Sequence, residues 1–456
     1  MLSQGESRLN MKKIVGIVTE YNPFHNGHKY HVEEAKKLAG ADYCIAVMSG
    51  NFVQRGTPAI IDKYSRTKMA LQNGVDLVLE LPVSYATGSA EYFAFGAISL
   101  LDKLGIVDSI CFGSECGDIT LLKKVAEILT NASETFDRQL KSFLKAGLAF
   151  PLARAQALEQ YLKSDPSLDT NRSEQLSKIL AQPNNILGIE YIKALNRLSS
   201  SIEPITIGRK TAAYHDKELS KKTLLSVASL EEYSTLEEVK SSPVISSATA
   251  IRNVLQHIEG ENLVSIKDSV PNNVYEELVA NYYKIYPVTE EDFSRQITYK
   301  LITEVRDSLV SYMDVSQDFA DRIKNLPDYH LSMAELVQTL KSRNLTLTRI
   351  NRSLIHILLN LRKDTIDLYN KHGYTAYARV LGFRKEASHL LRMITDHGRL
   401  PVVTKVSNAK NQLSSLSMQM LSEDILATHI YNQVVYEKFG TSLPNEYRRG
   451  LVIMHS

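Results

Sequence analysis

Short apolar, β-branched runs alternate with helical periodicity through the first half of the chain. Residues 14–19 (IVGIVT), 43–49 (YCIAVMS), 76–81 (DLVLEL), 107–112 (VDSICF) and 203–208 (EPITIG) each predict a strand. Between them, residues 28–38, 63–73 and 89–104 carry apolar positions at spacings of three and four, which predict helices. Strands alternating with helices imply a parallel sheet covered on both faces. Such sheets bind ligands beyond the carboxyl ends of their strands. Residues 118–180 read as a helical insertion or cap on the sheet. From about 273 onward the periodicity is helical almost throughout, with a strand run only at 401–405. The expected fold is therefore α/β, a parallel sheet with a helical insertion, followed by an all-α C-terminal domain. The expected organisation is a catalytic unit over 11–260 and a helical unit over 261–456, with the boundary near 256–275.

Composition adds bounds. A chain of 456 residues is too long for one hydrophobic core. No stretch approaches the roughly 20 apolar residues of a membrane span. Three cysteines, Cys44, Cys111 and Cys116, give neither a disulfide framework nor zinc spacing, and point to a reducing, cytoplasmic setting. Residues 1–10 are polar and precede Met11-Lys12-Lys13, so they are expected to be an unstructured leader. No metal site and no stable protein partner are expected.

The formal net charge of +2 hides an asymmetry. Residues 331–405 hold 13 Lys and Arg against five Asp and Glu. Arg349, Arg352, Arg384 and Lys385 lie in this segment, with Tyr369, Tyr374, Tyr377 and Phe383 interleaved. Basic side chains bind phosphate and aromatic rings can stack on unpaired bases, so this segment is the candidate RNA-binding surface.

The strongest chemical signal follows the first strand. Val18-Thr19-Glu20-Tyr21-Asn22-Pro23-Phe24 leads through a turn into His25-Asn26-Gly27-His28-Lys29-Tyr30-His31, where an HxGH motif opens a helix. A helix start offers unpaired N–H groups and partial positive charge to an anion. Gly27 lets a ligand approach the backbone. Two imidazoles three residues apart share one side of the first turn and can donate to phosphate oxygens as charge builds during displacement. A second motif is Ile245-Ser246-Ser247-Ala248-Thr249-Ala250-Ile251-Arg252. Ser247 and Thr249 supply hydroxyls at a helix start, and Arg252 a fork for β- and γ-phosphates. Arg55, Lys63, Arg66 and Lys68 read either as a solvated face or as residues that steer phosphate or RNA.

These motifs resemble the HIGH-signature nucleotidyltransferases and class I aminoacyl-tRNA synthetase-like enzymes, whose sheet is Rossmann-like. Some adenylyltransferases of that class carry a late ISSTxIR-like motif, which in this chain is one residue longer. The runs YNPFHNGH, Met48-Ser49-Gly50-Asn51-Phe52-Val53-Gln54-Arg55-Gly56, Arg66-Thr67-Lys68-Met69-Ala70, Phe112-Gly113-Ser114-Glu115, Pro183-Asn184-Asn185-Ile186-Leu187-Gly188 and Thr348-Arg349-Ile350-Asn351-Arg352 resemble, more closely, the bacterial tRNA(Met) cytidine acetate ligase family. So does Arg209 with Tyr214-His215-Asp216. The resemblance implies activation of acetate with ATP, accompanied by Mg2+, to acetyl-adenylate, and acetylation of N4 of the wobble cytidine of elongator tRNA(Met). It implies ATP contacts from residues 18–31, from Gly113, from Asn184 or Asn185, and from Arg209. Two other readings stand beside it: a small-molecule adenylyltransferase or carboxylate-activating ligase of the same fold, and a non-enzymatic RNA-binding protein that keeps a nucleotide site.

Overall fold

Five of the apolar runs form one parallel sheet: β1 (Ile14–Thr19), β2 (Tyr43–Ser49), β5 (Leu77–Leu81), β6 (Ser109–Ser114) and β7 (Glu203–Gly208). The computed structural model describes residues 12–455 apart from 131–133, 149, 165–178, 181, 209–245, 258–261, 305, 329–330 and 343–344. The parallel strands lie in the order β5-β2-β1-β6-β7. The chain thus winds to one side of β1 and then to the other, which makes the β1/β6 junction the crevice where such sheets bind ligands. A two-stranded hairpin, β3 (Phe52–Val53) and β4 (Thr57–Pro58), sits beyond the end of β2.

Side chains alternate across each strand and feed two cores. Val15, Ile17, Cys44, Ala46 and Met48 face one layer, Ile14, Ile45 and Val47 the other. Helices α1 (Asn26–Ala39) and α2 (Lys63–Gln72) cover the first face, and α4 (Ala90–Lys103) the second, with the short α3 (Val83–Ala86) between. The insertion supplies helices Ile119–Thr130, Glu134–Lys145 and Phe150–Ser164, as its spacing predicts.

The C-terminal region is mostly helical, with a short strand inside the expected run at 401–405 and two strands, Ala378–Arg384 and Val452–Met454, that the periodicity does not predict. Strand β8 (Ala378–Arg384) joins the sheet antiparallel to β5, and β9 (Val402–Val403) and β10 (Val452–Met454) pair with β8. The sequence hides β8 because its core side chains include Arg379, and because both its faces are buried, which removes the period-two signal. Gly382 permits the β10 contact, since an added Cβ would lie 2.4 Å from the Val452 carbonyl oxygen.

Arg379 belongs to a buried charge lattice that stitches this region to the sheet. Lys63 Nζ lies 2.6 Å from Glu80 and 3.2 Å from Glu446, and Arg379 bridges the same two carboxylates. Tyr64 donates to Glu446 at 3.0 Å and Lys63 to Thr428 at 3.1 Å. Burial pulls the Lys63 ammonium down to about 8 against the attraction of Glu80. Two cations and two carboxylates balance, so removing one carboxylate strands a buried charge. Glu446→Ala is expected to cost about 3–5 kcal/mol, read as a lower urea midpoint; a loss under ~1 kcal/mol would show the lattice to be dispensable.

Candidate active site

The turn after β1 builds the site from the core outward. Tyr21 takes a left-handed φ of 48°. Tyr21 and Phe24 are buried, their ring centroids 4.7 Å apart. The Tyr21 ring meets His28 edge-on at 4.9 Å, and Phe24 lies 5.6 Å from it, so the two aromatics form a floor under His28.

His25 caps α1. Its Nδ1 accepts the Gly27 N–H at 3.0 Å, and His28 Nδ1 accepts the His25 N–H at 3.3 Å. The rings stack with centroids 3.7 Å apart. With each Nδ1 accepting a backbone proton, the neutral rings carry their own proton on Nε2. Both histidines therefore line the cleft as donors, at a helix start whose first turn has no acidic residue.

The cleft encloses about 350 Å³ at the crevice between β1 and β6. One end is polar and basic. Arg252 donates to the Asn22 carbonyl at 2.8 Å and to Thr249 Oγ1 at 3.1 Å, and Ser247 Oγ accepts the Ala250 N–H at 3.1 Å. This places the start of helix Ala248–His257 beside the start of α1, with Arg55 from the β3–β4 hairpin also in the wall. The other end is apolar and includes Val18, Phe93, Phe112, Leu187 and Tyr191. Burial pushes the Tyr191 phenol up, with the Glu20 carboxylate adding to the shift.

The structure divides the predicted binding residues. Val18, Thr19, Glu20, Asn22 and His25 line the cleft, as do Gly27, His28, Tyr30 and His31. Gly113, Ser247, Thr249 and Arg252 line it too. Tyr21, Pro23 and Phe24 are buried instead, Lys29 is exposed, and Asn26 donates to the Asp268 carbonyl at 2.8 Å. Asn184 and Asn185 separate clearly. Asn184 lines the cleft and donates to Glu115 at 2.6 Å. Asn185 is fully buried, and its Oδ1 accepts the N–H groups of Glu115 and Cys116. Arg209 and Tyr214, His215 and Asp216 lie outside the described residues. Among the residues the sequence did not single out, Leu187 and Tyr191 share a helix face with Asn184 at spacings of three and four, a signal that would have found them.

The basic residues do not gather on one face. Helix Leu347–Leu358 presses on the β3–β4 hairpin: Gly56 has φ 72°, and an added Cβ would lie 2.3 Å from the Arg352 backbone nitrogen. Arg349 and Arg352 therefore adjoin the wall that carries Arg55, with Arg352 ion-paired to Asp314 at 2.7 Å. Arg384 and Lys385 follow β8, which runs antiparallel to β5, so they lie at the end of the strands away from the cleft; the Arg384 N–H donates to the Asp76 carbonyl. The expected stacking aromatics are corrected. Tyr369, Tyr377 and Phe383 are core residues, with the phenols bonded to Glu423 and Asp424, and Tyr374 stacks on Phe95. Lys63 and Arg66 are likewise buried, and Lys68 pairs with Glu277.

Comparison with known proteins gives a consistent picture. The HIGH Nucleotidyl Transferase family model matches residues 11–242 and 230–445. The chain is 38% identical over 442 residues to the tRNA(Met) cytidine acetate ligase of Acetivibrio thermocellus, covering 97% of this chain and all of the relative. It is 42% identical over 419 residues to the one from Clostridium perfringens strain SM101, covering 92% of this chain and 94% of that one. The crystal structure of Thermotoga maritima TmcAL bound with alpha-thio ATP superposes with a TM-score of 0.82 at 30% identity, covering 97% of this chain and all of the other. The sheet, the HxGH cleft and these likenesses together show that the chain belongs to the HIGH nucleotidyltransferases and, within them, to the tRNA(Met) cytidine acetate ligase family.

Proposed function

We propose that this chain uses ATP to convert acetate to acetyl-adenylate and then acetylates N4 of the wobble cytidine of elongator tRNA(Met), in the cytoplasm. The observation that carries the reading is the pair of stacked histidines at one helix start, facing Arg252 at another. In the first step an acetate oxygen attacks the α-phosphorus and pyrophosphate leaves. The Nε2–H groups of His25 and His28 donate to the α-phosphate oxygens as their charge grows. Arg252, with Ser247 and Thr249, receives the departing β- and γ-phosphates, whose charge Mg2+ would help neutralise when bound. The adenine edge lies against the bare backbone of Gly113 and within reach of Asn184; for Arg209, which lies outside the described residues, the resemblance alone supports a contact with ATP. In the second step the cytidine amine attacks the acetyl carbon and AMP leaves. The RNA approaches past the helix that carries Arg349 and Arg352, because that helix adjoins the cleft wall; Arg384 and Lys385 would meet a different part of the tRNA.

Incubation with ATP and radiolabelled acetate, with and without tRNA, tests the reading. Label should enter adenylate in both cases and RNA only with tRNA(Met). Label in adenylate but never in RNA would favour a small-molecule ligase, and no label in adenylate would refute the enzyme. His25→Ala and His28→Ala should each lower acetyl-adenylate formation by roughly 100-fold or more without changing the circular dichroism spectrum; near-normal rates would refute the donor role. Arg252→Ala should raise KM for ATP about tenfold or more, and an unchanged KM would remove Arg252 from the phosphate site. Arg349→Gln should weaken tRNA binding and reduce the slope of log K against log salt by about one; an unchanged slope would move the RNA to another face.

A further inference from the structure

Acetyl transfer to an exocyclic amine leaves a proton that must go somewhere, and the phosphate end of the cleft is poorly equipped to take it. His25 and His28 already use their Nδ1 lone pairs to accept backbone N–H groups, so protonating either ring there would break the cap of α1. Arg252 and Arg55 have no lone pair to offer, and the Nε2 of His31, which also lines the cleft, is buried. Among the described residues that line the cleft, Glu20 is the only carboxylate.

Its position suits the task. Glu20 is the first residue after β1, and its carbonyl accepts from Arg66 at 2.6 Å, so its backbone is fixed. Its Oε1 accepts the Gln54 N–H at 3.0 Å, which orients the carboxylate of a residue that lines the cleft. Its charge reaches both ends of the cleft. It adds to the upward push that burial gives Tyr191 at the apolar wall, and it opposes the burial that lowers Arg252 at the phosphate end.

We infer that Glu20 is the general base of the transfer step, taking the N4 proton as the cytidine amine attacks acetyl-adenylate. The N4 lone pair forms the bond to the acetyl carbon. The bond from that carbon to the phosphate oxygen breaks, and its electrons leave with AMP. The N4 proton passes to the Glu20 carboxylate and from there to solvent after release. The inference rests on the acetate-ligase reading and adds a residue for its second half.

The test is Glu20→Gln, whose amide oxygen can still accept the Gln54 N–H and so preserves the hairpin anchor. Two rates are compared: acetate-dependent ATP–pyrophosphate exchange, and single-turnover transfer from preformed acetyl-adenylate to tRNA(Met). Transfer should fall about 100-fold or more further than exchange. Hydroxylamine, a stronger nucleophile, should still intercept acetyl-adenylate on the variant, and Glu20→Asp should recover part of the transfer rate. Exchange and transfer falling together would mean that Glu20 serves only ATP binding or structure, and would overturn the inference. So would transfer at the wild-type rate. Failure of wild type itself to form acetyl-adenylate would refute the acetate-ligase reading instead.

Discussion

One buried guanidinium holds the floor of the cleft together. Arg66 donates to the carbonyls of Ile61, Glu20, Ser49 and Gly50. Those groups follow β1, end β2 and precede α2, and each would lose this hydrogen bond without the fork that reaches them. Burial lowers the guanidinium from its ordinary range, and the nearby Tyr431, Asp62, Glu20 and Glu80 oppose that shift. The positions of Glu20, of the turn at residues 21–24 and of the histidine cap on α1 follow from this anchor, because the chain leaves β1 from a carbonyl that cannot move.

The same helix carries the second constraint. Lys63, one turn before Arg66, enters the charge lattice with Glu80, Arg379 and Glu446. Helix α2 therefore buries polar side chains on the sheet, where an amphipathic helix would bury apolar ones. This design ties the C-terminal region to the carboxyl ends of the central strands. It also sets helix Leu347–Leu358 against the hairpin that carries Arg55, so a basic helix meets the cleft wall.

Much of this was legible in the sequence. The five parallel strands show as β-branched runs, and HxGH after the first of them marks a helix start with two imidazoles on one side. Other features were not legible for identifiable reasons. Lys63 and Arg66 look like a solvated face because sequence spacing reports a helix but not what surrounds it. Strand β8 lacks alternation because both its faces are covered, and Arg379 at its centre disguises a core position. Tyr369 and Tyr377 look like stacking residues, yet Glu423 and Asp424 satisfy their hydroxyls inside the core. Asn184 and Asn185 are neighbours in sequence and both bond to Glu115 in the loop after β6, but the helical turn leaves Asn184 lining the cleft and buries Asn185.

The account as a whole turns on the acetate oxygen attacking the α-phosphorus in the cleft between β1 and β6. Acetate labelled with 18O in both oxygens, turned over with ATP and tRNA(Met), tests this directly by mass spectrometry of the released AMP. Attack at the α-phosphorus followed by acyl transfer to nitrogen predicts one 18O in each AMP and none in pyrophosphate. AMP without 18O, or label in another phosphate, would contradict the adenylate route and the roles given to His25, His28 and Arg252.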